Sequence, residues 1–294
     1  MNRRSPLIIS SVAAALLALT ACGGGAEAND PDAPLTFAMP PGTDDPDLLA
    51  QVDVVADMVA DATGREVETE RPADYMAVVE SVRSGFVDVA VMSPFSAALA
   101  VKNDSVTPIV AWKAETTPAS LCLVPADSEL EDIGDFAGHQ IAFVDPGSAT
   151  GHFLPRSLLV DNGLVDGEDY TSTFAGSHDS AVLAMLNDSV DMACTAAQLY
   201  PTFVEAGMFA ESDVRVLAET DPIPIGSVII VRNDLDETTK QQLIDTLPDA
   251  IMANEQTHTI VGGADEYIEN PTLDDLAPLL KVAENVGISL EDIR

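Results

Sequence analysis

The sequence predicts an α/β chain in two lobes, each a mostly parallel sheet flanked by helices, with a ligand cleft between them. Three observations carry that expectation. Short apolar runs alternate with segments whose apolar residues recur at helical spacing, the pattern of strands covered by helices. About ten such runs occur, which two smaller sheets accommodate more economically than one. Proline-bearing junctions at Thr117-Pro118 and Asp221-Pro222-Ile223-Pro224 stand where the chain can cross between lobes. The expected division is therefore an interrupted first lobe, 35–117 plus 225–294, around a second lobe at 118–224.

In chain order, 35–39 reads as the first strand and 47–62 as a helix with one apolar face, ended by Gly64. Residues 67–70 supply a strand, 75–84 a helix stopped by Gly85, and 87–92 a short buried strand followed by another helix. Strands are then expected at 107–113, 120–124, 139–144, 170–174, 191–195, 214–219 and 228–231. Helices are expected at 153–160, 180–186, 238–247 and 273–286. No internal repeat is present.

Composition narrows the function classes. The 294 residues carry 49 acidic against 13 basic side chains, a formal charge of -36, and the four lysines (Lys102, Lys113, Lys240, Lys281) form no patch. Such a chain repels a phosphate backbone, so nucleic-acid binding is not expected. With 47% hydrophobic residues it has the material for a core, which a disordered acidic chain lacks.

At the amino end, Arg3 and Arg4 precede an apolar run at 7–19, too short to span a membrane comfortably. The run closes on Leu19-Thr20-Ala21-Cys22, which looks like a bacterial lipoprotein cleavage box. Residues 1–21 are thus expected to be a signal peptide and Cys22 the lipidated first residue of the mature chain. Residues 22–34, rich in Gly, Ala, Asp and Pro, then form a tether. The expected location is the extracytoplasmic face of the cell membrane, held by the lipid. Cys122 and Cys194 lie in apolar strand-like runs at a spacing that fits no metal motif. They read as two buried thiols, one bridge being the alternative.

The candidate chemistry sits at strand-to-helix junctions. In Asp145-Pro146-Gly147-Ser148-Ala149-Thr150-Gly151, Ser148 and Thr150 offer hydroxyls, and a following helix start would aim N–H groups at the same place. Together these could hold a tetrahedral oxyanion without a cation. Ala175-Gly176-Ser177-His178-Asp179 repeats the arrangement, with His178 as a donor and Asp179 as a candidate to fix its tautomer. Asp74-Tyr75 places a phenol at a third junction, and Ser93 and Ser96 add hydroxyls at a fourth. Helix capping and core packing are the plainer readings of each motif taken alone.

In their order and spacing these motifs resemble one family. Over about 35–250, Ala73-Asp74-Tyr75, 85–88, 145–155, 174–179, Val190-Asp191 and Pro222-Ile223-Pro224 before 228–232 are similar to periplasmic-type substrate-binding proteins of ABC importers. The specific group is the one that binds phosphonate, phosphite or phosphate. The resemblance implies a type 2-like two-lobed fold, with the segment matching Ser148, Ala149, Thr150 and Gly151 gripping the phosphorus oxygens beside Tyr75 and His178. That segment usually carries consecutive hydroxyls, and Ala149 lacks the middle one. Relatives that take an aminoalkyl phosphonate hold the amine on acids at positions matching Gln198 and Gly226, and have an aromatic residue near Ala119 or Ser120. Here no carboxylate stands at either acid position.

The implied function is capture of a small phosphorus oxyanion and its delivery to an ABC permease with its ATPase, by a monomer that needs no cofactor or metal. Ser93, Ser120, Gln198 and Gly226 are further cleft positions. A binding protein for another small oxyanion or organic solute is the alternative. Ser148, His178 and Asp179 make a poor nucleophilic triad, because no nucleophile elbow is present and adjacent His and Asp do not readily take consecutive roles. A phosphorus-ester hydrolase and a structural surface lipoprotein are therefore weaker readings.

Overall fold

A computed structural model describes residues 33–40, 46–114, 118–261 and 264–288. The signal segment, Cys22, most of the tether and Thr117 lie outside the described residues. Among the described residues no helix is long and apolar enough to cross a membrane.

Two sheets organise the chain. The first contains β1 (Leu35–Ala38), β2 (Val67–Glu70), β3 (Val89–Met92), β4 (Thr107–Lys113), β10 (Ile225–Val231) and β11 (Tyr267–Glu269), in the order β11-β4-β10-β3-β1-β2. The second contains β5 (Ser120–Pro125), β6 (Gln140–Phe143), β7 (Thr171–Phe174), β8 (Met192–Ala196) and β9 (Val214–Glu219), in the order β7-β6-β8-β5-β9. Period-two alternation explains why the central strands are apolar throughout. Val89, Val91, Ile229 and Val231 face α1 (Pro46–Thr63) and α7 (Glu237–Ala253). Their neighbours Ala90, Met92, Val228 and Ile230 face α2 (Tyr75–Arg83), α3 (Pro94–Lys102) and α8 (Leu273–Asn285). In the second sheet, Leu123, Ala142 and Ala193 pack with Val182 and Met185 of α5 (His178–Leu186), and the opposite face buries Ile141, Phe143 and Met192 near Leu159 of α4 (Leu154–Asp161).

In each sheet most strands run one way, four of six in the first and four of five in the second, with the others antiparallel to them. β1 pairs parallel with β2 and β3, and β6 with β7 and β8, but β10 is antiparallel to β3 and β4, β11 to β4, and β5 to β8 and β9. Connectivity is the reason. β5 and β10 are the strands by which the chain enters each sheet after crossing from the other, so each runs away from the crossing. The strands beside them run toward it. Hydrophobic periodicity reports burial and carries no strand direction. α6 (Leu199–Glu205) and β11 are two short elements that the periodicity does not announce.

The expectation of two buried thiols is overturned: Cys122 and Cys194 form a disulfide. They sit directly opposite one another on antiparallel β5 and β8, with Cα atoms 4.0 Å apart. Their separation of 72 residues along the chain hides this pairing.

Candidate functional site

The carboxyl ends of β1 and β3 face those of β6, β7 and β8 across a cavity of about 200 Å³, the place where open α/β sheets bind ligands. Tyr75, Ser148, Ala149, Thr150 and His178 all line it, as do Ser93, Gln198 and Gly226. Ser120 does not: it lies fully buried in β5, opposite Ala196, its hydroxyl without a hydrogen-bond partner. A hydroxyl at the first strand position after the crossing faces the interior here, while the neighbouring Ala119 reaches the cavity.

The loop after β6 is held by a buried carboxylate. Asp145 accepts from the Gly147 amide at 2.7 Å through Oδ1 and from the Tyr75 amide at 3.4 Å through Oδ2, so one side chain ties the loop to the first turn of α2. Burial raises its pKa and these two amides oppose that rise. Ser148, extended at φ -75°, accepts from the Gly151 amide at 3.1 Å and caps a single π-helical turn at Ala149–Phe153. A side chain at Gly151 would begin 2.2 Å from Val144 Cγ2, so only glycine lets the turn close on β6.

The same loop docks on the first sheet's helices. The hydroxyls of Ser96 and Ser93 donate to the Gly147 carbonyl at 2.6 and 3.1 Å, and Ser93 Oγ accepts from the Ala149 amide at 3.2 Å. Phe95 stacks on Phe153 with ring centroids 4.6 Å apart. Two groups expected to face a ligand, the Ser93 hydroxyl and the Ala149 amide, therefore satisfy one another across the junction. The Thr150 hydroxyl, half-buried in the wall, has no hydrogen bond to another described residue.

Tyr75 and His178 are neutral donors, for separate reasons. Asp74 caps α2 by accepting from the Ala77 amide at 2.7 Å, which fixes Tyr75 as the first helical residue. Burial and the nearby Asp145 charge push the phenol far above its ordinary pKa, against a Ser148 hydrogen bond that lowers it. Tyr75 therefore keeps its proton. His178 opens α5 and is buried. Its Nδ1 accepts from the Ala196 amide at 3.3 Å and lies 3.0 Å from the Thr195 hydroxyl. A backbone N–H can only donate, so Nδ1 is unprotonated and the ring's proton is on Nε2. Burial depresses its pKa to about 4, with Asp179 acting the other way. The partners of Nδ1 are Thr195 and Ala196 at the end of β8 rather than Asp179, and no sequence signal distinguishes those two residues.

Among the described residues no Lys, Arg, Asp or Glu lines the cavity. The starts of α2, α3 and α5 bring the positive ends of three helix dipoles to the same region. Hydroxyl, phenol and imidazole donors complete a site suited to an anion held entirely by uncharged groups.

The family model described as "ABC transporter, phosphonate, periplasmic substrate-binding protein" matches residues 37–265. The phosphate-import protein PhnD of Mycolicibacterium smegmatis is 31% identical over an alignment of 226 residues, with 71% of this chain and 69% of that one covered. Among solved structures, PhnD1 from Prochlorococcus marinus in complex with methylphosphonate superposes with a TM-score of 0.71 at 15% identity, covering 90% of this chain and 100% of that one. A binding-protein component of a phosphonate ABC transporter from Pseudomonas aeruginosa gives a TM-score of 0.71 at 19% identity, with 85% of each chain covered. The two structural likenesses show a shared two-lobed fold.

Proposed function

The chain belongs to the phosphonate family of ABC-transporter periplasmic substrate-binding proteins, and from that premise we propose that it captures a small phosphorus oxyanion by noncovalent binding and hands it to a membrane permease driven by a separate ATPase. The observation that carries the reading is the convergence of Tyr75, Ser148, Thr150 and His178 on one cavity between the sheets. The Tyr75 phenol, the Thr150 hydroxyl and the His178 Nε2–H each present a proton to a bound oxygen, and Ser148 shapes the loop that carries Thr150. Closure of the lobes removes water, and in that low-dielectric space neutral hydrogen bonds outweigh the repulsion of a distant acidic surface. No bond of the ligand is made or broken. The mature chain is tethered outside the membrane through a lipid on Cys22 and works as a monomer.

Calorimetric titration of ligand-stripped protein with phosphite, phosphate, methylphosphonate and 2-aminoethylphosphonate tests this. At least one of the first three should bind, and a folded His178→Ala variant should bind it at least tenfold more weakly, on the scale of one lost hydrogen bond to a charged group. Silence from every phosphorus anion with folding intact, or an unchanged affinity in His178→Ala, overturns the proposal.

A further inference from the structure

The cavity is larger than a phosphorus oxyanion needs, and the described residues of its remaining walls are uncharged. An apolar cavity of about 150 Å³ accommodates a benzene ring, so about 200 Å³ takes a tetrahedral head together with several carbon atoms. Beyond the donors, the walls are apolar side chains such as Met39, Val52, Met92, Leu199, Ile223 and Ile260. The polar exceptions are neutral: the amides of Gln51 and Gln198, and Ser227, whose hydroxyl is already given to the Ile260 carbonyl at 2.6 Å.

These features have opposite consequences for two ligands of equal size. An ammonium-bearing tail would give up its hydration with no carboxylate among the described lining residues to replace it, a heavy cost in a closed cavity. An alkyl tail gives up nothing and buries its methylenes against Met, Leu and Ile side chains. Phosphate, with no tail, leaves the apolar walls wet or empty. Resting on the phosphorus reading above, we infer that the preferred cargo is a phosphonate with an uncharged, largely apolar substituent of about three to six heavy atoms, rather than phosphate or an aminoalkyl phosphonate.

The deciding experiment is calorimetry of the ligand-stripped protein against phosphate, methylphosphonate, ethylphosphonate, propylphosphonate, 2-aminoethylphosphonate and propanesulfonate. Propylphosphonate and 2-aminoethylphosphonate have the same number of heavy atoms and differ by a methyl against an ammonium, so the pair isolates charge from size. Affinity should rise about fourfold for each added methylene from methyl to propyl, the increment expected for a buried CH₂. Propylphosphonate should exceed 2-aminoethylphosphonate by at least tenfold. Gln198→Glu, close to isosteric and half-buried in the wall, should shift that ratio toward the amine by at least tenfold, because it adds the missing counter-charge.

Binding of phosphate or methylphosphonate with no gain for propylphosphonate overturns the inference and leaves the phosphorus reading standing. Equal or tighter binding of 2-aminoethylphosphonate in the native protein, or a ratio unmoved by Gln198→Glu, also overturns the inference alone. Binding of propanesulfonate with silence from every phosphorus ligand overturns the phosphorus reading itself.

Discussion

Two buried histidines in the second lobe carry opposite tautomers, and in each case a backbone group decides which. At His178 an amide donor fixes Nδ1 as the acceptor. At His152 the Pro146 carbonyl, 2.9 Å from Nδ1, can only accept, so Nδ1 holds the proton, and Nε2 is buried without a partner. Burial lowers both pKa values from 6.5 to about 4. A folded pKa depressed below the unfolded one means that the stability these rings contribute is present above pH 6.5. It is lost as the pH falls toward 4, where the unfolded chain takes up protons that the folded one refuses. At ~1.4 kcal/mol per tenfold, each ring accounts for on the order of 3 kcal/mol over that window. Urea denaturation at pH 7 and pH 4 should show the fall, and His178→Gln should remove its own share of the slope. Nitrogen NMR should find His178 protonated at Nε2 alone at pH 6, and a doubly protonated ring at that pH would sink the assignment. How much of the site is legible from sequence follows the same division. Tyr75, Ser148, Thr150 and His178 stand at strand-to-helix junctions, a position that chain order reveals, and all four reach the cavity. Thr195, Ala196 and Asp145 act through tertiary contacts that no local pattern encodes, and Ser120 shows that a hydroxyl near a crossing can point inward as readily as outward.

At the scale of elements, the loop between β6 and the π-helical turn docks the second half on α2 and α3 of the first. Gly147 has no strained backbone angle, so its requirement is one of space. A Cβ there would sit 2.6 Å from Ser96 Oγ and 2.8 Å from Tyr75 Cβ, both on helices of the first sheet. Gly147→Ala should therefore push the loop off α2 and α3, separating Tyr75 from Ser148 and Thr150 while leaving each sheet and its helices intact. The expected result is at least a tenfold loss of affinity for a phosphorus ligand with a small change in unfolding free energy. Small-angle scattering should also show less ligand-induced compaction than in the native protein. A variant that binds and compacts like the native chain would remove this loop from the closing mechanism. Strand and helix positions were open to sequence reading because burial imprints a period, and Val89 to Met92 alternates between two packed faces. The reversed direction of β5 and β10 and the Cys122–Cys194 bridge are not, since both depend on which strand carries the chain across, a property of the path rather than of any window.

The whole molecule sets the approach of the ligand more than its final hold. The chain's formal charge of -36, with no run of sequence that clusters its lysines and arginines, repels an incoming dianion. The cavity has no charged lining group among the described residues to screen or strengthen once the ligand is inside. The field therefore belongs to the encounter. The Debye length shortens from about 30 Å at 0.01 M salt to about 10 Å at 0.1 M, so added salt removes repulsion over the distance a ligand travels to the cleft. Stopped-flow binding should then show an association rate constant that rises severalfold between 10 and 150 mM salt, with a dissociation rate constant that stays within about twofold. A family member with a cationic cleft would behave in the opposite way, its association slowing as salt rises. An association rate that falls with salt here would mean that a local positive potential outweighs the global charge, and the account of a site built from neutral donors would have to be abandoned.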